Sequence, residues 1–296
     1  MAWVRRGLLD RDAGWGDQFA AMTETATPLI ANARMYSVAP AAAAAWKRLF
    51  QWLERRSGIA LTVIDHAFPA PLDELWARPD LACTFMCGWP FYRRGAAQRV
   101  VAAPIPSAAY AKGKPVYCSH FVVRADSRFR SLEETFGNRF AYTVPESHSG
   151  YNAPRHHLLK FRGADGKPLY REIIGPLMTP RLTLEAIAAG RTDVGPLDSF
   201  AYDLICRHMP ELAKQTRVVA STETVPIPAF MAAPGTPSDI VAKLREALCA
   251  FGGDPAQGQL RNELCIIGFA RMDEKDYGVT EAWAREAEMR GLEKIL

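Results

Sequence analysis

A strand–helix rhythm that stops and then restarts is the strongest constraint on how this chain folds. Ala33–Val38 reads as extended, Ala41–Ser57 as helical, Ile59–Ile64 as extended, Leu72–Trp76 as a short helix and Leu81–Met86 as extended. Trp46, Leu49, Phe50 and Leu53 recur at the spacing of one buried helix face, and Gly58 stands where a helix C-cap belongs. Such alternation specifies an open sheet with helices on its faces. Val100–Ala103 is extended again, followed by a link through Pro104, Pro106, Gly113 and Pro115, and then by Tyr117–Arg124, which is rich in β formers. The rhythm resumes with a short helix from Ser131, a strand at Phe140–Val144, helices at Ala153–Phe161 and Arg181–Ala189, and a strand at Val194–Leu197. A helix at Ser199–Arg207, a strand at Val218–Ala220, an extended run at Ile227–Ala233, and helices at Ser238–Phe251 and Tyr277–Ile295 complete the pattern.

Two β/α units joined by two extended crossings, near Tyr117–Val123 and Pro226–Ala232, predict an α/β clamp of two lobes. Each lobe is expected to be an open mixed sheet flanked by helices, with the crossings as a hinge. The expected division is a tail over residues 1–28, a first lobe from 29–120 and 226–296, and a second lobe over 121–225. In such folds a ligand sits between the lobes, at the C-terminal ends of strands where helices begin.

Composition narrows the function. Among 296 residues, 36 Lys+Arg against 32 Asp+Glu leave a charge of +4, too weak and too dispersed to imply nucleic acid. A hydrophobic content of 49% argues for a packed globular protein and against a disordered one. No stretch approaches the roughly 18 to 20 apolar residues of a membrane span, so no membrane insertion is expected. Arg5 and Arg6 are followed by Asp10, Arg11, Asp12 and Asp17 rather than by an apolar segment, so no secretory signal is legible. The sequence as it stands reads as cytoplasmic, or as periplasmic if a leader has been removed; Met22 is an alternative start. The six cysteines form no disulfide framework, and Cys83-x-x-x-Cys87 has no second pair to complete a zinc site. His156 and His157 are adjacent and would point apart on a helix, so no metal and no cofactor are expected. No Gly-x-Ser-x-Gly elbow, Walker loop, His-Glu-x-x-His or Gly-x-Gly-x-x-Gly is present, which shifts the expectation from catalysis towards binding.

The richest segment is Tyr142-Thr-Val-Pro-Glu-Ser-His-Ser-Gly-Tyr-Asn-Ala-Pro154, where a strand ends, a polar turn follows and a helix begins. Hydroxyls and free N–H groups at a helix start converge on whatever lies there, and the helix dipole favours an anion. Gly150 lets backbone approach without a side chain in the way. Ser147 or Ser149 could equally serve only as a helix cap.

This segment resembles the Ser-x-Ser-Gly loop of the phosphonate-binding-protein family, type 2 periplasmic binding proteins that feed ABC transporters. Other pieces follow in the family's order. Cys87-Gly-Trp-Pro-Phe91 is similar to its cleft loop, and Tyr110, Gly113 and Tyr117–Arg124 to its first crossing. Leu184–Asp198 resembles its helix–strand segment ending in a cleft aspartate, and Pro226–Phe230 its return crossing. The resemblance implies that Ser147, His148 and Ser149, with the amides up to Gly150, hold the oxyanion end of a ligand. It implies further that Tyr36 and Trp89 line the cleft, and that Asp198 faces a cationic or hydroxyl group or holds the closed state. Several members carry a histidine where this chain has Thr179-Pro180-Arg181, so Arg181 or Thr183 would take over an anion contact.

Each of these residues has a plainer role open to it. Tyr36 and Trp89 could be core aromatics, Asp198 the cap of the helix at Ser199, Arg181 a solvated surface residue, and Cys87 a small buried thiol. The resemblance implies a non-enzymatic solute-binding protein that takes a small phosphonate- or phosphate-like oxyanion between its lobes, with an ABC transporter permease as partner. The alternative is an intracellular enzyme or sensor on the same clamp, resembling the pyrimidine synthase of thiamin biosynthesis, with His148 or His120 in its chemistry. An effector domain of the LysR type would need a DNA-binding segment that residues 1–28 are too short to supply.

Overall fold

The computed structural model describes residues 28–163 and 167–292. The expected tail and the secretory-signal reading rest on residues 1–27, and the end of the last expected helix on residues 293–296, outside the described residues.

The first stretch runs β1 (Leu29–Asn32), α1 (Pro40–Ser57), β2 (Leu61–Val63), α2 (Leu72–Trp76), β3 (Leu81–Met86), α3 (Gly88–Arg93) and β4 (Arg99–Pro106). The chain then crosses through β5 (Val116–Tyr117) into β6 (Ser119–Arg124), and continues with β7 (Arg139–Ala141) and α4 (Ala153–Leu158). Next come β8 (Glu172–Ile174), α5 (Pro180–Ala188), β9 (Val194–Asp198), α6 (Ser199–His208), α7 (Pro210–Ala213) and β10 (Thr216–Ser221). The return passes β11 (Val225–Pro226) to β12 (Ala229–Ala232), α8 (Ser238–Ala250), α9 (Gly258–Glu263), β13 (Ile266–Ala270) and α10 (Gly278–Met289).

These strands form two mixed sheets. One has the order β13-β4-β12-β3-β1-β2, the other β10-β6-β9-β7-β8, and β5 pairs with β11 in a separate two-stranded ladder. The protein is thus a two-lobed α/β clamp, one sheet to a lobe. The ladder matches Tyr117 with Val225 and Val116 with Pro226, where both crossings run antiparallel. Within the first sheet β1 lies parallel to β2 and β3, so the ends of β1 and β3 open at one edge. A buried cluster joins Trp46, Phe85 and Phe230 of the first lobe to Leu197, Phe200 and Leu204 of the second, while Phe121, Phe140 and Tyr170 form a separate core.

The structure corrects several boundaries, each for a local reason. The first strand ends at Asn32, not Val38, because the Asn32 side chain accepts from the Arg34 amide at 2.8 Å and turns the chain into a short 3-10 helix, Arg34–Tyr36. Tyr117–Arg124 is two strands, because the Cys118 amide donates to Ser199 Oγ at 3.1 Å instead of to a ladder partner. Strand β4 runs on through Pro104 and Pro106, where it pairs with β13 but no longer with β12. The amide of Ser107 faces β13, so by strand alternation the nitrogens of Pro104 and Pro106 face the unpaired side. The helix expected from Ala153 begins five residues earlier with a π turn, His148–Asn152, and the helix at Ser131 is only a 3-10 turn at Glu133–Thr135. Strands β8 and β13 and helices α3, α7 and α9 had no strong periodicity to announce them.

Candidate functional site

A cleft of about 800 Å³ opens between the two sheets. Its first-lobe wall comes from the ends of β1, β2 and β3 and from α1; its second-lobe wall comes from residues 143–150, the approach to α5, and Asp198. Strand ends and helix starts face each other across it, the arrangement that leaves unsatisfied backbone groups pointing at a ligand.

At the floor three buried polar side chains meet. Tyr36 donates its hydroxyl to Asp198 Oδ2 at 3.2 Å, and Ser149 Oγ approaches the same oxygen at 3.4 Å. The other carboxylate oxygen accepts from the amides of Phe200 and Ala201 at 2.9 Å each, so Asp198 caps α6 and bridges the lobes at once. Burial pushes the Asp198 carboxyl up to about 7, against the opposing pull of those amides and hydroxyls. The Tyr36 ring stands edge-on to Phe85 at 4.8 Å and Phe200 at 4.7 Å, which fixes its hydroxyl.

The second-lobe turn is built around a glycine. Gly150 packs so closely on the end of β7 that a Cβ there would fall 1.8 Å from Thr143 Oγ1. Ser147 is the N-cap, its Oγ accepting from the Gly150 amide at 2.9 Å, which leaves its own proton free to be donated. Ser149 is held by its carbonyl, which accepts from Ser119 Oγ at 2.8 Å.

Tyr36, Ser147, Ser149, Gly150, Arg181 and Asp198 line the cleft. Arg181 sits at its rim on α5, exposed, and donates to Glu185 Oε1 at 2.8 Å one turn on. Three residues expected there lie elsewhere. His148 is turned under the π turn, its Nδ1 3.1 Å from the Asn152 amide group and its ring stacked 5.6 Å from Trp283 of α10. That burial, with His156 nearby, lowers His148 to about 3, so its ring is neutral where it lies behind the cleft wall. Thr183 is buried inside α5, its hydroxyl given to the Thr179 carbonyl at 3.1 Å. Trp89 does not line the cleft, whereas Cys87, the N-cap of α3, and Pro90 do; its indole lies 5.4 Å from the Arg93 guanidinium.

Arg34 was not legible as a site residue. It follows the end of β1, lines the cleft, donates Nη1 to the Ala70 carbonyl, and has no carboxylate partner among the described residues. Partial burial lowers its pKa, because desolvation disfavours the charged guanidinium. A strand end placed at Asn32 rather than Val38 would have drawn attention to it. Cys87 also reaches the cleft wall, but burial pushes its thiol up to about 12, the mark of an inert thiol. Among the described residues no group of three or more His, Cys, Asp or Glu is arranged to hold a metal ion.

Two hinged sheets with a cleft floored by hydroxyls, a carboxylate and a helix start define a clamp-type solute-binding protein. The family model for ABC transporter, phosphonate, periplasmic substrate-binding proteins matches residues 37–277, and the chain belongs to that family. No curated protein matches the chain in sequence. Solved structures match over nearly its whole length. A binding protein component of an ABC phosphonate transporter from Pseudomonas aeruginosa is 16% identical with a TM-score of 0.74, covering 89% of this chain and 88% of its own. PhnD1 of Prochlorococcus marinus, in complex with methylphosphonate, is 14% identical with a TM-score of 0.72, covering 88% of this chain and 98% of its own. A Xanthomonas citri protein bound to ATP is 20% identical with a TM-score of 0.62, covering 89% and 98%. The family binds substrates for transport and is not enzymatic, which sets aside the enzyme alternative. No described helix is long and apolar enough to cross a membrane.

Proposed function

We propose that the protein captures an oxyanion of the phosphonate or phosphate kind in the cleft and delivers it to an ABC transporter permease at the periplasmic face. The observation that carries this is the convergence of the Ser147–Gly150 turn, the Tyr36–Asp198 pair and the unpaired Arg34 on one cleft. The hydroxyls of Ser147 and Ser149 and the amides at the start of the π turn donate to the oxyanion, and Arg34 supplies charge from the other lobe. A neutral Asp198 donates to a ligand oxygen, and an ionised one accepts from a ligand hydroxyl or amine. Contacts made from both lobes at once favour the closed arrangement, so the ligand shifts an open–closed equilibrium.

Calorimetric titration with methylphosphonate and with inorganic phosphate tests the reading. Ser149→Ala, and the double variant with Ser147→Ala, should weaken binding at least tenfold, in keeping with roughly 1.5 to 3 kcal/mol for a hydrogen bond to a charged group. Ser147→Ala also removes an N-cap, which costs about 1 kcal/mol of stability, so Ser149→Ala is the cleaner probe. Undiminished affinity in the double variant would discard the assignment.

A further inference from the structure

The cleft is far larger than a methyl-bearing oxyanion fills. Its volume of about 800 Å³ lies within the range of sites that enclose drug-sized ligands, roughly 300–1,000 Å³. Burial orders its lining: Tyr36, Ser149 and Asp198 on the floor are buried, whereas the open mouth sets an apolar strip among charged side chains that include Asp65, Asp73, Glu146, Arg181 and Glu185. Val63, Ile64, Phe68 and Leu72 line it from the first lobe, Met178 and Leu182 from the second. Among the described residues few large hydrophobic side chains stand exposed, and three of them, Val63 at 36%, Phe68 at 46% and Met178 at 39%, line this one cleft. Exposed apolar residues gathered at one concave surface mark a binding site rather than chance.

Met178 adds a second, independent sign. Its φ of +68° lies in the left-handed region that side chains rarely adopt. The backbone is held there because the Leu177 and Met178 amides donate to the Tyr142 and Thr143 carbonyls, both at 3.0 Å. Strain of this kind persists where the surroundings enforce it, and it gathers at ligand clamps. Here it presents an apolar side chain to the cleft beside the serine turn.

We infer that the ligand is an amphiphile: an oxyanion head seated at Ser147–Gly150 and an extended alkyl or aryl body lying along Val63, Phe68 and Met178. This rests on the oxyanion reading above and goes beyond it in assigning the rest of the molecule.

A calorimetric series of methyl-, butyl-, hexyl- and octylphosphonate, each kept below its micellar concentration, tests the inference. The dissociation constant should fall about fourfold for each methylene buried, the value set by the transfer of a CH₂ group out of water, and level off where the chain reaches solvent. The heat-capacity change of binding should grow more negative along the series. Phe68→Ser and Met178→Gly, the latter compatible with the left-handed backbone, should each reduce the slope of log Kd against chain length. Methylphosphonate bound as tightly as or more tightly than the longer members would overturn the amphiphile while leaving the serine-turn reading intact. A series in which nothing binds, or in which Ser149→Ala changes nothing, would remove the oxyanion reading and this inference with it.

Discussion

Asp198→Asn offers the sharpest test of the cleft floor. The wild-type carboxyl is pushed up to about 7 from an ordinary 3.8 because it is buried between lobes. An acid whose folded pKa is raised binds its proton more tightly in the folded state, so stability falls as pH rises through the window from about 4 to 7. A displacement of that size is worth about 4 kcal/mol in full, of which about 3 kcal/mol is lost between pH 5 and pH 8. Asparagine keeps an oxygen for the Phe200 and Ala201 amides and carries no charge, so this loss should vanish. Its amide nitrogen obliges the Tyr36 and Ser149 hydroxyls to turn round and accept, which costs about 1 kcal/mol each at most and is independent of pH. Buried His148, lowered to about 3, and His120 and His157, each lowered to about 4, act in the opposite sense: folded-state pKa values below the unfolded one lose stability as pH falls under 6.5. The wild-type profile alone is therefore a compensated sum, and the difference between the two proteins isolates Asp198. Urea denaturation followed by tryptophan fluorescence at pH 5 and pH 8 measures it. Stability changes of equal size in wild type and variant would show that Asp198 does not titrate in this window, and the account of a desolvated floor would fail.

Two further substitutions probe the walls. Gly150→Ala forces a methyl group into Thr143 Oγ1 and should destabilise the protein by roughly 1 to 3 kcal/mol, with oxyanion binding lost and partial rescue by Thr143→Ala; thermal denaturation and calorimetry read both. Arg34→Gln should weaken methylphosphonate binding at least tenfold and flatten its dependence on ionic strength, and an unchanged affinity would show that the charge serves only to hold the Ala70 carbonyl.

Local regularities were readable from the chain because they are written in neighbouring residues. Leu72–Trp76 and Leu81–Met86 fall where the pattern placed them, and α1 ends at Gly58 with φ +71°, a conformation a glycine adopts without cost. The alternation of these elements, broken and resumed, was enough to specify a clamp of two sheets. The terminal turns were less legible, since an Asx turn at Asn32 and a π turn at His148 depend on single hydrogen bonds rather than on periodicity.

Which side chains reach the cleft was settled by contacts between distant segments. Tyr36 and Asp198 are 162 positions apart, and nothing near either residue foretells their bond. Asp198 serves as both cap and cleft residue because its two oxygens face different elements. His148 sits between two cleft-lining serines yet is drawn under the turn, where Asn152 anchors to the Thr280 carbonyl at 2.8 Å and Trp283 of α10 covers the ring. Periodicity and capping act over a few residues along the backbone. The direction of a side chain at the end of an element is set by what packs beside it, and here that neighbour arrives from the far end of the chain.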